Sequence, residues 1–497
     1  MTPSQRPNIV LFVSDQQQWQ TVCGRGPTRS PHIDRLAAEG LTFGRPYATV
    51  ALCCPSRAAL ISGQFPWHNG VLNQIHVPER TRDDMVPDVQ TYSQHLRDAG
   101  YHLGYSGKWH ASWRRTPLDF GFHDVRAPHG YNPETLRAAG IAEAPHGDRD
   151  ILVEGQITWP GDAPHPFYGI DRGPEEATGA HIATSAGIDL IERYAATPAT
   201  PWFVTINVTE PHDPYTPLAA YAARYDPAEV ALPASWADDF ANKPNMNRRD
   251  AGLWAALTER QVRTAIARYW AYCEQVDAQV GRVLGALDRT GQAAETLVVF
   301  TSDHGDMAGA HRQFIKGWQP YEETYRVPLV MRWPGVIAPG GVCDHLVQLH
   351  DLAHLFVDVA GAAPITPADG RSVRPLFADP ARTDWEDVAF CAYYGGEFLY
   401  TQRMVITPRY KYVFNGFDFD ELYDLEADPH EMHNAIDDEG YGATRDALRA
   451  LLWERMERHG DPYAQNRYGA ARYLPRPAPA RSATGGDESR AVGPFGA

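Results

Sequence analysis

Short apolar runs alternate along the chain with segments that have helical periodicity. The runs that predict buried strands lie at residues 9–13, 102–105, 202–208, 296–301 and 328–332. The segments that predict helices lie at residues 30–40, 92–100, 176–196, 259–287 and 351–361. Strands that alternate with helices form a parallel or mostly parallel sheet with helices on both faces. The pattern therefore predicts an α/β fold with a large, mostly parallel central sheet.

The pattern changes near residue 375. Residues 389–394, 403–406 and 411–414 are short, β-rich and separated by turn residues, which predicts an antiparallel sheet. We therefore expect a catalytic domain at residues 1–375 and a smaller C-terminal α+β subdomain with an antiparallel sheet at residues 376–471. Residues 472–497 are rich in Pro, Ala, Gly, Ser and Arg, and their low apolar content predicts a flexible tail.

Charge and apolar content exclude two classes of partner. The 497 residues carry 45 Lys and Arg against 62 Asp and Glu, a formal charge of −17. Because binders of nucleic acid depend on clustered positive charge, we expect no nucleic-acid partner. The longest apolar runs fall far short of the ~20 residues that span a bilayer, so we expect no membrane partner.

The N-terminus and the cysteines predict a location. The first seven residues are polar and the apolar stretch after them spans only residues 9–13, which is not the pattern of a signal peptide. Six cysteines, none in CxxC spacing, are typical of a reducing compartment. These features predict a cytoplasmic protein.

Four polar clusters follow predicted strands or their loops, at residues 14–17, 108–110, 210–213 and 302–306. Open α/β sheets build their sites at the carboxyl ends of the strands, so the clusters are expected to converge. Carboxylate, amide and imidazole ligands suit a hard divalent cation such as Ca²⁺ or Mn²⁺ better than Zn²⁺. Solvated turn residues are the alternative interpretation of each cluster taken alone.

One short motif narrows the choice between these interpretations. Cys53, Pro55 and Arg57 form C-x-P-x-R, followed by an apolar helix and Gly63. This segment resembles the signature of type I sulfatases, in which the cysteine is oxidised to formylglycine. The resemblance extends from Asn8 to the segment ELYDLEADPHE at residues 421–431, and it implies the fold of the alkaline phosphatase superfamily.

The resemblance implies a metal site with one divalent ion, Ca²⁺ before Mn²⁺ or Mg²⁺. The residues that match the family's ligands are Asp15, Gln16, Cys53, Asp303 and His304. Some members have aspartate where Gln16 stands and asparagine where His304 stands, so this chain resembles the Gln/His variant. Asp306 is expected to support its own turn by hydrogen bonds rather than to bind the metal.

The resemblance also implies catalytic and sulfate-binding residues. Arg57 matches the residue that stabilises formylglycine. The residues that match positions around the sulfate are Lys108, His110, His212 and Lys316. Asn73 matches a further substrate-binding position, although its spacing from Cys53 is one residue shorter than in relatives.

The chemistry of a formylglycine hydrate is consistent with these roles. One of its two geminal hydroxyls attacks sulfur, and the other expels sulfate by returning to the aldehyde. Lys108, Lys316 and the metal would clamp the sulfate oxygens, because charge develops there. His212 or Lys316 would protonate the leaving alcohol, and His110 would accept the proton of the second hydroxyl.

Two other functions compete with a sulfatase. A phosphonate monoester or phosphodiester hydrolase would use the same site, but the Lys-x-His of Lys108 and His110 favours a sulfatase. A non-catalytic relative that binds anions or glycans is the minor alternative, since every expected polar position is filled. The expected partners are a small sulfate ester and, during maturation, a formylglycine-generating enzyme, while a homo-oligomer is left open.

Two histidines are expected to lie outside the site. His350 and His354 are four residues apart on a predicted helix, but the glutamate of HExxH is absent. They are predicted to be surface or interface histidines.

Overall fold

A computed structural model describes most of the chain. The described residues are 6–78, 80–145, 147–158, 163–197, 200–396, 399–416 and 418–465. The predicted tail at residues 472–497 lies outside them.

Fourteen strands lie in the described residues. They are β1 Asn8–Ser14, β2 Leu41–Tyr47, β3 His102–Lys108, β4 Asp124–His129, β5 Ile151–Ile157, β6 His165–Asp171, β7 Trp202–Asn207, β8 Thr296–Ser302, β9 Leu329–Arg332, β10 Gly341–Gln348, β11 Ala389–Tyr393, β12 Gln402–Ile406, β13 Tyr410–Asn415 and β14 Glu421–Asp424. All five strands predicted in the first part of the chain are present, whereas β2, β4, β5, β6 and β10 were not predicted.

The α-helices of the same residues confirm the five predicted ones. They are α1 Pro31–Ala38, α2 Cys53–Ser62, α3 Pro66–Asn69, α4 Tyr92–Asp98, α5 Pro133–Ala138, α6 Gly179–Ala195, α7 Ala219–Ala222, α8 Asn245–Trp254, α9 Glu259–Arg289, α10 Glu322–Tyr325, α11 Asp351–Val359, α12 Pro375–Ala378, α13 Gly442–Arg458 and α14 Pro462–Gln465. Short 3₁₀ turns lie at Trp19–Thr21, Pro117–Phe120, Glu175–Ala177, Pro227–Glu229, Ala234–Ala237, Ala293–Glu295, Ala310–Arg312 and Glu439–Tyr441.

An eight-stranded sheet forms the centre of the fold, in the order β10-β2-β9-β8-β1-β7-β3-β4. Every neighbouring pair is parallel except the two that involve β9, which runs antiparallel to β2 and β8. The mostly parallel sheet is therefore confirmed. Strand β1 lies in the middle of it, so its carboxyl end opens onto the ends of β8 and β7.

Helices cover both faces of this sheet. Ile9 and Leu11 of β1 belong to one hydrophobic cluster, which also contains apolar residues of α2, α4 and α11. Val10 and Phe12 belong to a second cluster, on the other face, with residues of α1, α6 and α9. Successive side chains of a strand point to opposite faces, and β1 is apolar at all of these positions because both faces are covered.

A second sheet lies near the C-terminus. Strands β11 to β14 form an antiparallel meander, as predicted, and its apolar face packs against α13 through residues such as Tyr412 and Leu452. The domain boundary at residue 375 stays a prediction. Strands β5 and β6 form a separate two-stranded sheet.

The position predicted for the two histidines at α11 was wrong. His350 and His354 are buried, at 1% and 7% exposure, rather than at a surface. His350 Nδ1 lies 2.7 Å from Thr49 Oγ1, and His354 Nε2 lies 2.9 Å from the carbonyl oxygen of Gly63. Their polar atoms are thus used to hold neighbouring loops.

None of the helices in the described part of the chain has the length and apolar character that a membrane span requires.

Candidate active site

Cys53 begins α2, a helix whose ten residues are all buried. The helix ends at Gly63, which adopts φ of 67°, a left-handed conformation that glycine tolerates best. A Cβ there would lie 3.0 Å from the Ala353 Cβ of α11. The helix is therefore held on the core at both ends, and its first side chain faces the carboxyl end of the central sheet.

Four predicted metal ligands converge around that side chain. Asp15, Cys53, Asp303 and His304 each present one ligand atom, and these atoms lie within 4.8 Å of one another. Cys53 Sγ lies 3.2 Å from His304 Nε2 and 3.8 Å from Asp15 Oδ1. All four residues are at most 1% exposed. Parallel pairing of Ser14 in β1 with Ser302 in β8 brings the two aspartates together.

The tautomer of His304 suits metal binding. Its Nδ1 lies 2.9 Å from the carbonyl oxygen of Gly305, which can only accept, so Nδ1 carries the proton. Nε2 is then left with its lone pair facing Cys53 and the carboxylates of Asp15 and Asp303, at 3.8 and 3.7 Å. Metal-binding histidines are usually oriented in this way.

Gln16 completes the oxygen donors. Its φ of 66° is left-handed, and its backbone N–H donates to Asp303 Oδ1 at 3.1 Å. Its Nε2 donates to Asp213 Oδ1 at 3.1 Å and to Asp306 Oδ2 at 2.5 Å. Carboxylates can only accept, so the amide nitrogen points to them, and Gln16 Oε1 faces the site, where it accepts from Lys316 at 2.5 Å.

Asp306 supports this loop as expected. Its Oδ1 accepts from the backbone N–H groups of Ala308 and Ile315, at 2.7 and 3.0 Å, and its Oδ2 accepts from the Tyr215 hydroxyl at 2.6 Å. The carboxylate therefore ties both ends of the loop that leads to Lys316, and it does so while orienting the Gln16 amide.

Arg57 lies one helical turn after Cys53 and bridges the two aspartates. Its Nε donates to Asp303 Oδ2 at 2.8 Å and its Nη2 to Asp15 Oδ2 at 3.2 Å. The Nη1 group donates to Asn207 Oδ1 at 3.2 Å. Because a buried carboxylate is costly without a partner, the guanidinium stabilises both ions and fixes their orientation.

Two cationic residues lie close to both Cys53 and the predicted metal ligands. Lys108, at the end of β3, donates to Asp15 Oδ2, and Lys316 Nζ lies 2.6 Å from His212 Nε2. Burial alone would raise the pKa of the Cys53 thiol, but Lys108 and Lys316 outweigh it and hold that pKa well below its usual range. The position of this side chain is thus electrostatically suited to negative charge.

His110 also lies near Cys53, and each of the two side chains shifts the pKa of the other. Burial and the neighbouring Lys108 lower the pKa of His110 to about 3, so the imidazole is neutral and can accept a proton. Its backbone φ of 51° is left-handed, and its ring lies against Gly130, where a Cβ would be 2.4 Å from His110 Cδ2.

Asn73 is the predicted residue whose described contacts point elsewhere. It is buried, and its Oδ1 accepts from the Thr81 backbone N–H at 3.0 Å and from Thr81 Oγ1 at 3.1 Å. Its substrate-binding role stays a prediction.

A cavity of about 480 Å³ adjoins the cluster. Its walls include His212 and Asp213 of the site, together with His129 and Tyr131. Burial and Lys108 lower the pKa of His129 to about 4. The sequence analysis did not identify His129, because only the pairing of β4 with β3 brings this residue close to Lys108. It also did not identify the contact of Asp213 with Gln16, although Asp213 stands next to His212.

Comparisons with known proteins agree with this geometry. The family model of the sulfatases matches residues 7–362, and the model of the C-terminal part of N-sulphoglucosamine sulphohydrolase matches residues 309–458. The chain is 30% identical over 480 residues to an uncharacterized sulfatase, YidJ, of Escherichia coli (strain K12), with 92% of this chain and 88% of the relative covered.

Two further relatives carry a named activity. An arylsulfatase of Clostridium perfringens (strain 13 / Type A) is 27% identical over 482 residues, with 92% of this chain and 96% of the relative covered. A choline-sulfatase of Rhizobium meliloti (strain 1021) is 28% identical over 489 residues, with 90% of this chain and 87% of the relative covered.

Solved structures share the fold. A phosphonate monoester hydrolase from Silicibacter pomeroyi has a TM-score of 0.76 at 22% identity, covering 93% of this chain and 97% of its own. A protein solved with D-glucosamine-2-N,6-O-disulfate as its substrate has a TM-score of 0.71 at 22% identity, covering 93% and 100%.

The chain belongs to the sulfatase family of the alkaline phosphatase superfamily. It is a sulfuric ester hydrolase.

The residues present fit the two groups that this family implies. Two carboxylates, a carboxamide oxygen and a correctly protonated imidazole form a donor set for a divalent cation. Cys53 lies beside those donors and close to the cations Lys108 and Lys316, a setting that would suit the negative charge of a formylglycine hydrate.

Proposed function

We propose that this protein hydrolyses a small sulfate monoester to an alcohol and inorganic sulfate, with Cys53 converted to formylglycine as the nucleophile. The observation that carries the proposal is the position of Cys53. Its Sγ lies 3.2 Å from His304 Nε2 and 3.8 Å from Asp15 Oδ1, and Lys108, Lys316 and His110 are close enough to lower its pKa.

The metal would be held by Asp15, Gln16, Asp303 and His304 together with the modified Cys53. When bound, a divalent cation supplies Lewis-acid stabilisation of the nucleophile and of a sulfate oxygen. Ca²⁺ is the proposed ion, before Mn²⁺ or Mg²⁺, because most of the donors are hard oxygen atoms. Arg57 donates to both aspartates and so holds their carboxylates in position for that ion.

Lys108 and Lys316 bind the sulfate oxygens. Both ammonium groups are held by neighbours, Lys108 by Asp15 and Lys316 by Gln16 and His212. Fixed charges in a buried site stabilise developing negative charge without having to reorganise. Asn73 is proposed as an additional contact to the substrate.

Two imidazoles are placed to move protons. His212 Nδ1 lies 2.7 Å from the carbonyl oxygen of Asp213, so Nε2 shares a proton with Lys316, and this pair protonates the leaving oxygen. His110 is neutral and faces Cys53, so its ring nitrogen accepts the proton that must leave when sulfate is released.

The cavity beside His212 limits the size of the alcohol part of the substrate. Its volume of about 480 Å³ accommodates a small alcohol. The charge of −17 opposes binding of a sulfated polymer. The choline-sulfatase relative is a family member whose name specifies a small substrate. All six cysteines are unpaired, which supports a cytoplasmic location, where small imported esters are the accessible substrates.

The experiment combines mass spectrometry with a substrate panel. Protein is produced with and without a formylglycine-generating enzyme, and the mass of the peptide that contains Cys53 is measured. Aryl, alkyl and choline sulfates and a phosphonate monoester are then assayed on both preparations. We expect turnover of sulfates to track conversion of Cys53 and Cys53→Ala to be inactive, while Cys54→Ala, the adjacent thiol, keeps activity.

Three outcomes would contradict the proposal. Faster turnover of the phosphonate would favour the phosphonate monoester or phosphodiester hydrolase. Conversion of Cys53 and metal binding without turnover of any ester would favour a non-catalytic anion-binding relative. Full activity of Cys53→Ala would exclude the formylglycine mechanism.

A further inference from the structure

A second group of metal-binding side chains lies next to the catalytic cluster. Cys54, His76 and His110 each present one ligand atom, and these atoms lie within 4.8 Å of one another. Cys54 Sγ lies 3.9 Å from His76 Nδ1. The rings of His76 and His110 stack with their centroids 5.1 Å apart and 28° between their planes. The group joins α2, the loop after α3 and the segment after β3.

The donor set differs in kind from the main cluster. One thiol and two imidazoles are ligands for Zn²⁺, whereas the main cluster consists mostly of carboxylate and amide oxygens. Zinc bond lengths of about 2.3 Å to sulfur and 2.0–2.1 Å to nitrogen place tetrahedral donors about 3.4–3.6 Å apart. Cys54 Sγ and His76 Nδ1, which lie 3.9 Å apart, would have to approach by about 0.3–0.5 Å, and three protein ligands leave one position open.

The surroundings also favour an ion over simple packing. His110 Nδ1 is buried and has no hydrogen-bond partner among the described residues. A buried polar atom without a partner is costly, and coordination would satisfy it. Cys54 is fully buried, but His76 is exposed, so the group is open to solvent on one side.

We propose that Cys54, His76 and His110 form a second, inhibitory metal site that binds Zn²⁺. A zinc ion held there occupies an imidazole that would otherwise accept the proton in sulfate release. Binding requires only the three side chains, whereas its effect on turnover rests on the proposed role of His110. The two parts are therefore tested by different measurements.

Cobalt is the spectroscopic probe for binding. Co²⁺ is added to the full-length Cys53→Ser variant with Ca²⁺ in excess, so that the main cluster contains no thiol. We expect a thiolate-to-cobalt charge-transfer band in the near ultraviolet, which Zn²⁺ displaces, and its loss in Cys53→Ser/Cys54→Ala. A band that persists in the double variant, or none in the single variant, would overturn the site, whatever the enzyme's activity.

Zinc titration of the active enzyme measures the effect on turnover. The calcium-loaded, formylglycine-containing protein is assayed with rising Zn²⁺ in wild type, Cys54→Ala and His76→Ala. We expect the half-inhibitory concentration to rise about tenfold or more in both variants. Cys343→Ala, which removes a buried thiol of β10, is the control and should behave as wild type. Equal inhibition of all four proteins would place the ion elsewhere and overturn the inhibitory role.

Discussion

Lys316 Nζ lies 2.6 Å from His212 Nε2, and the two side chains form one proton-sharing pair, of which His212 lines the cavity. We propose two tasks for this pair, charge stabilisation by the ammonium and protonation of the leaving oxygen by whichever group holds the proton. Variants that separate the two tasks are informative.

His212→Gln should slow the hydrolysis of alkyl sulfates more than that of activated aryl sulfates. General acid catalysis contributes about 10²–10⁴-fold, and a good leaving group needs little of it. The measurement is kcat/KM against the pKa of the leaving alcohol. His129→Gln, in the wall of the same cavity, is the control and should change all substrates by a similar factor. If log kcat/KM falls with the leaving-group pKa at the same slope in His212→Gln and in wild type, His212 is not the general acid.

Gly130→Ala should lower kcat by displacing His110. An added Cβ would lie 2.4 Å from His110 Cδ2, and Gly130 has φ of +69°. Gly140→Ala is the matched control, because Gly140 has φ of +68° and open space around the position of a Cβ. Both variants should lose about 1 kcal/mol of stability from the left-handed backbone. A normal kcat in Gly130→Ala would show that His110 is not needed in this position.

Asp306→Asn should weaken metal binding without removing a ligand. The carboxylate accepts from Gln16 Nε2 and Tyr215, and an amide in its place no longer enforces the direction of the Gln16 amide. Loss of such a supporting hydrogen bond costs about 10–100-fold in metal affinity. Calorimetric titration of the metal-free protein with Ca²⁺ measures the effect. Tyr215→Phe removes one hydrogen bond to Asp306, so its Ca²⁺ affinity should lie between those of Asp306→Asn and wild type. An unchanged Ca²⁺ affinity in Asp306→Asn would contradict the orienting role of Asp306.

Removal of the metal should lower both activity and stability. Asp15 and Asp303 are buried beside each other, and Arg57 and Lys108 neutralise them only in part once Cys53 and the substrate add negative charge. An ion at 100 times its Kd stabilises the folded state by about 2.7 kcal/mol. The measurement is Tm with EDTA, with Ca²⁺ and with Mn²⁺. An unchanged Tm, with activity retained in EDTA, would exclude the metal site.

Asp369 should contribute stability that is lost in acid. Burial would raise the pKa of its carboxyl, but hydrogen bonds from His459 and His68 outweigh burial and lower that pKa to about 2. A carboxyl with a pKa below its unfolded value stabilises the protein above about pH 4, and this contribution disappears as the pH falls toward 2. Urea unfolding of wild type and Asp369→Asn should show a difference that shrinks as the pH falls from about 4 toward 2. A difference that grows in acid would contradict the assignment.

Local sequence signals were sufficient for much of the fold and for the candidate residues. The five strands and five helices predicted in the first part of the chain are present, because apolar runs and capping residues favour secondary structure within a few residues of themselves. The motif at Cys53 identified the proposed nucleophile by a local pattern, and the polar clusters after the strands identified Asp15 and Asp303 as candidate ligands. The surface position expected for His350 was wrong, because burial depends on which loops pack over α11.

The sequence by itself determined the alternation of strands and helices and the antiparallel C-terminal sheet, and it supplied the candidate site residues. Only the tertiary structure decided that β9 runs antiparallel, that the Gln16 amide turns its oxygen toward Lys316, and that His110 faces both Cys53 and Cys54. Asp15 and Asp303 lie far apart in the chain and become neighbours through the register of β1 on β8. Register and strand order arise from long-range packing, and a local pattern of residues contains no information about its distant partner.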